Sequence, residues 1–182
     1  MYQRALGILE KTLGSEHPTV ASVRSSLATL QRRLGKGDEA ALGYQQALAA
    51  KEKVYGSESW QVEAEAENLA NLYFAQGRYA DAAPLYERVL SSRGKRLGPD
   101  HPGLPTLLET LARLYVEQNR LEKAEPLYRR AVQITEKTKG TDHLALIQYL
   151  SPLARILRSL NRQTEAEGLE TRVKAIRAKQ AR

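Results

Sequence analysis

Three histidines, His17, His101 and His143, are the residues best suited to proton transfer or metal binding, and their spacing argues against both uses. They are 84 and 42 residues apart, at the same place in a recurring segment. Equivalent places in stacked helix pairs lie about 8 to 10 Å apart, too far to share one metal ion. Turn and helix-start roles suit them better. The chain has no cysteine, which removes disulfides, thiolate metal sites and thiol nucleophiles together. No serine or threonine has a base at a recognisable motif spacing, there is no glycine-rich phosphate loop, and the many glutamates fall on solvated helix faces. The expectation is a protein that is not an enzyme, with no catalytic residue, no metal and no cofactor.

Cationic side chains are the remaining chemistry. The formal charge is +7, but the segment from Thr171 to Arg182 carries Arg172, Lys174, Arg177, Lys179 and Arg182 with no acid, leaving only +2 elsewhere. Basic residues at the end of a last helix complement its dipole, so a solvated cap is favoured over a nucleic-acid arm. No stretch approaches the roughly 18 apolar residues of a membrane span, and the start reads as an amphipathic helix without a cleavage site. No membrane contact is expected, and a cytoplasmic location is the default.

The elements that would position these residues are set by an internal repeat. LGSEHP from Leu13, YGSESW from Tyr55, LGPDHP from Leu97 and KGTDHL from Lys139 place Gly14, Gly56, Gly98 and Gly140 at intervals of 42 residues. Gly35, Gly77, Asn119 and Asn161 keep the same interval, and Gly and Asn are the residues that tolerate the left-handed conformation after a helix. Between these turns the apolar residues recur at helical spacing, as in Leu107, Leu108, Leu111, Leu114 and Tyr115. The spacing predicts first helices over about 19–34, 59–76, 102–118 and 142–160, and second helices over about 38–55, 79–97, 121–139 and 163–179. Pro18 and Pro102 would open first helices, whereas Pro152 would fall in the middle of one and kink it. Trp60 takes the place of those two prolines and is expected to pack over a turn. Tyr44, Tyr86 and Tyr128 recur on second helices as core residues.

Leu69, Ala70, Tyr73, Ala82 and Tyr86, followed by Leu111, Ala112, Tyr115, Ala124 and Tyr128, resemble the tetratricopeptide signature. With LGPDHP and QNRLEKAEPLYRRAV, the chain resembles over its whole length the 42-residue version found in kinesin light chains and bacterial repeat proteins. That resemblance implies an all-α, right-handed superhelical solenoid of antiparallel helix pairs. The expected organisation is one array: 1–14 a second helix lacking its partner, then repeats 15–56, 57–98, 99–140 and 141–182, the last with a basic cap helix.

In such arrays the first helices line a concave surface that binds other proteins, so polar residues there are informative. Two rows spaced by 42 stand out: Thr29, Asn71, Arg113, Arg155, and one turn on Arg32, Phe74, Val116, Arg158. Arginines beside one aromatic anchor suit an extended or helical peptide carrying carboxylates. The Asn-Asn pair that kinesin light chains carry before Leu-Ala survives only as Asn68. No three consecutive first helices supply the carboxylate clamp of chaperone-binding members. The expected function is a protein-interaction scaffold whose groove contacts an acidic peptide through Asn68, Asn71, Phe74, Arg113, Arg155 and Arg158. Nucleic-acid binding through the arginines, or a spacer and self-association role, is the alternative. Tyr2 aligns with Tyr44, and Tyr2, Leu6, Leu9 and Leu13 form an apolar stripe. The expectation is that this edge, lacking a preceding helix, favours a homodimer.

Overall fold

The computed structural model describes residues 2–180, with side chains from 4 to 179. Tyr2 as a side chain, and Arg182 of the basic tail, lie outside that range. The described residues form nine α-helices and two 3-10 turns, with no strand among them. They divide into two compact units, Met1–Arg96 and Leu97–Arg182.

The first unit holds α1 (Tyr2–Leu13), α2 (Pro18–Arg33), α3 (Gly37–Tyr55), α4 (Glu63–Ala75) and α5 (Tyr79–Leu97), whose last residue marks the division. The second holds α6 (Pro105–Glu117), α7 (Leu121–Lys139), α8 (Ile147–Ser159) and α9 (Gln163–Gln180). Successive helices pack on one another within each unit: α2 on α1 and α3, and α7 on α6 and α8. Partners separated by 15 residues (Tyr86 and Asn71), 26 (Arg93 and Glu67) and 29 (Ser92 and Glu63) show α4 and α5 running antiparallel.

The tight turn inside each pair has one chemistry. After α2, Gly35 N–H bonds Arg32 C=O and Lys36 N–H bonds Gln31 C=O. The same two bonds recur at Gly77 and Arg78, Asn119 and Arg120, and Asn161 and Arg162. This is the Schellman closure, which needs a left-handed residue; Asn119 (φ 55°) and Asn161 (φ 60°) are the non-glycine residues that supply it. Between pairs, Gly56 and Gly140 adopt φ 82° and 93° with ψ 152° and 161°, a region essentially reserved for glycine.

Three of the first helices, α4, α6 and α8, start later than the apolar pattern suggests. Trp60–Val62 and Leu144–Leu146 are single 3-10 turns leading into α4 and α8. Pro102 therefore does not open a helix. Pro105 stands at the first position of α6, and the chain before it is held by Leu104 N–H to His101 C=O at 3.0 Å. Because α8 begins at Ile147, Pro152 is its sixth residue, as Pro84 is in α5 and Pro126 in α7. As expected it lies inside its helix, and each of the three helices gives up one ladder bond in its second turn. Trp60 opens the first 3-10 turn and is 60% exposed.

The core is built from small residues that let helices approach, with large rings set among them. Ala28, Ala70, Ala112, Ala40, Ala82, Ala124 and Ala166 are fully buried, and Tyr44, Tyr86 and Tyr128 are 1% exposed. On α1, Leu6 and Leu9 are half-buried and Leu13 is exposed. No described helix is long and apolar enough to cross a membrane.

Candidate functional site

Burying a tyrosine in α3, α5 and α7 creates a local demand, since its hydroxyl must keep a hydrogen-bond partner. In the first unit, Tyr44 Oη meets Thr29 Oγ1 at 2.8 Å, and Tyr86 Oη donates to Asn71 Oδ1 at 2.6 Å. Thr29 and Asn71, the first two members of the row that continues as Arg113 and Arg155, are thus where these two buried tyrosines end. Asn71 has a structural task that its sequence position does not disclose.

In the second unit the tyrosine is Tyr128, and here the row carries charge. Burial, reinforced by the Glu109 carboxylate, pushes the Tyr128 phenol up to about 12, and Arg113 and Arg155 pull in the opposite direction. Burial also raises Glu109, with Arg113 opposing. Arg113 on α6 and Arg155 on α8 therefore lie within electrostatic reach of one buried hydroxyl on α7. Around it opens a cleft of about 260 Å³ whose walls include Arg113, Val116, Glu117, Pro152, Arg155 and Ile156. Two guanidinium groups over an apolar wall can take a carboxylate with a neighbouring aliphatic group.

Arg158 is placed differently. Its Nε and Nη2 donate to Glu170 Oε1 and Oε2 at 2.9 and 2.8 Å, and it is not in the cleft lining. Glu170 stands 42 residues after Tyr128, so in the last pair an acid replaces the tyrosine and an arginine answers it. Asn68 and Phe74 are half-buried on α4, and Phe74 meets Tyr79 edge to face at 5.6 Å. The structure thus brings Arg113 and Arg155 together, groups Asn68, Asn71 and Phe74 along α4, and engages Arg158 within the chain.

The histidines act as turn caps. Nδ1 of His17, His101 and His143 accepts from the backbone N–H of Thr19, Gly103 and Ala145 at 3.2, 3.0 and 3.1 Å. Among the described residues no three His, Asp or Glu side chains gather as metal ligands.

Sequence reasoning missed a charge ladder. Lys53, Lys95, Lys137 and Lys179 near the ends of second helices pair with Glu16, Glu58, Asp100 and Asp142 in the turns before first helices. The signal was present, an acid two residues after each turn glycine and a lysine 37 residues later. Arg172 also pairs with Glu136, at 2.5 Å. Two of the basic residues of the tail are therefore answered within the chain, which weakens a nucleic-acid arm.

The family model described as Tetratricopeptide repeat matches residues 1–53, 62–137 and 120–179. The chain is similar over its full length to a kinesin light chain-like protein of Podosopora anserina with nearly identical repeats. The two share 30% identity with a TM-score of 0.84, over 86% of that chain. It has the fold of BtubC from P. vanneervenii, at 24% identity and TM-score 0.79 over 99% of this chain and 72% of that one. MamA of Desulfovibrio magneticus shares the fold at 13% identity and TM-score 0.65, over 98% and 94%. No curated protein matches the chain in sequence.

Proposed function

The chain belongs to the tetratricopeptide repeat family, whose helix pairs mediate contacts between proteins, and we propose that it is a scaffold binding an acidic peptide segment along its first helices. The observation that carries this reading is the cleft of the second unit, where Arg113 and Arg155 flank the buried Tyr128 beside Val116, Pro152 and Ile156. A carboxylate there would gain charge-assisted hydrogen bonds, and an adjacent aliphatic side chain would cover the apolar wall. Within the first unit, Asn68, Asn71 and Phe74 on α4 are a separate set of contacts for such a segment, Phe74 as an apolar anchor. Arg158 takes part only by loosening its hold on Glu170.

Fluorescence anisotropy with labelled acidic peptides tests this. Arg113→Ala with Arg155→Ala should weaken binding about tenfold or more, given about 1 to 2 kcal/mol per charged hydrogen bond at a partly exposed site. Unchanged affinity in the double variant would place the peptide elsewhere. A nucleic-acid site would instead bind oligonucleotides with a steep loss of affinity as salt rises.

A further inference from the structure

Four positions of the first complete helix pair depart together from the other three. Arg24 stands where Ala66, Leu108 and Leu150 are fully buried. Gln31 stands where Tyr73, Tyr115 and Leu157 lie, Gly43 where Leu85, Leu127 and Leu169 lie, and Gln46 where Arg88, Arg130 and Arg172 lie. All four residues line one groove of about 410 Å³ between α1, α2 and α3, floored by Leu6, Leu27 and Leu42.

Each departure has a physical result. Gly43 lets α3 press against α2: a Cβ there would come within 2.8 Å of Ala28 Cβ, so the leucine of the later pairs cannot stand at this point. No side chain from residue 43 enters the groove that Gly43 lines, and Leu42 beside it is 55% exposed. Gln46 removes a cation. In the later pairs Arg88 holds Glu52 and Arg172 holds Glu136, acids equivalent to Glu10. Here Glu10 turns to Arg24 across the groove. Its carboxylate remains about a third exposed, and one carboxylate can accept several donors. Glu39, which accepts from Gln31 Nε2 at 2.9 Å and pairs with Lys36 at 3.0 Å, stands on the rim.

The geometry points to this groove as a docking site for a helical segment of a partner protein that carries a leucine and, three residues later, an arginine. Leu85 and Arg88, Leu127 and Arg130, and Leu169 and Arg172 have that spacing on α5, α7 and α9, so the partner would supply in trans the pair that α3 lacks. The leucine would enter the space beside Gly43 over Leu6, Leu27 and Leu42, and the guanidinium would meet Glu10. Such a site differs from the acidic-peptide cleft in residues and in preferred charge, and it stands or falls separately.

The probe is an alanine-based helical peptide of about 16 residues bearing one Leu-x-x-Arg, titrated into the full chain and followed by amide NMR shifts and anisotropy. Shifts should concentrate on α1 to α3. Changing the peptide leucine to alanine, or its arginine to glutamate, should weaken binding about tenfold. Leu42→Glu should do the same, and both Leu42 and Gln46 are exposed, so these variants should keep the helical circular dichroism of the parent. Gln46→Arg, which returns an arginine to Glu10, should abolish the preference for arginine in the peptide. No shifts at millimolar peptide, shifts confined to other helices, or indifference to the peptide arginine or to Leu42→Glu would overturn the proposal.

Discussion

The hydroxyl of Tyr44 lies 2.8 Å from Thr29 Oγ1, joining the buried ring of one helix to a residue on the polar row of its partner. Forty-two residues on, Tyr86 and Asn71 repeat the relationship at 2.6 Å. The row that sequence marks as a ligand surface is also what keeps the buried tyrosines hydrogen-bonded.

Thr29→Val keeps the shape of residue 29 and removes its hydroxyl, so it should destabilise the chain by about 1 kcal/mol. Urea unfolding of Thr29→Val, Tyr44→Phe and the double variant provides the cycle. If the two losses add without coupling, the contact contributes nothing to stability.

Arg158→Ala should reduce acidic-peptide affinity by no more than about threefold, because Glu170 already neutralises the guanidinium. Glu170→Gln should do the reverse and tighten binding. Anisotropy on the two single variants decides: a large loss in Arg158→Ala would mean that the arginine leaves Glu170 to meet the ligand.

Glu63 is 5% exposed yet ionises more easily than an ordinary carboxyl. Burial alone would raise it, but hydrogen bonds from Ser92, Arg96 and Arg93 outweigh that cost. A depressed carboxyl stabilises the fold above its unfolded value near 4.5, and that stability disappears as pH falls through the lower folded value. Glu63→Gln should cost about 3 kcal/mol at neutral pH and flatten the acid limb of the stability curve, read from thermal melts between pH 2 and pH 7.

Tyr128 should stay protonated until about pH 12, in ultraviolet titration at the phenolate band. A raised phenol favours the folded state below the ordinary value of about 10, and that contribution is lost as pH climbs from there through about 12. Removing Arg113 and Arg155 should raise the midpoint further, since both now favour the phenolate. A midpoint unchanged in that double variant would separate the arginines from the hydroxyl.

The register of the fold was legible because it is written in backbone chemistry. Gly35, Gly77, Asn119 and Asn161 mark left-handed closures, and the spans 79–97 and 121–139 agree with α5 and α7 to the residue. The starts of α4, α6 and α8 were less legible: a 3-10 turn and an α-helical turn suit the same apolar spacing, and only the hydrogen-bond pattern separates them. For the site, sequence placed Arg113 and Arg155 on one row but could not show which polar residues were already engaged. Arg158 with Glu170 and Asn71 with Tyr86 join residues 12 and 15 apart on different helices. Which side chains meet there depends on how the pair packs, and each partner looks unremarkable in its own helix.

The four lysine pairs have a bearing on how such a chain grows. Glu16 and Lys53, Glu58 and Lys95, Asp100 and Lys137, Asp142 and Lys179 each fall inside a single 42-residue period, never across two. A duplicated period brings both halves of its electrostatic clasp with it, and a deleted one takes both away. Neither event strands a charge. Gene-level copying can therefore lengthen or shorten the array without any matching substitution at these positions, leaving later mutation to act on the residues that face ligands.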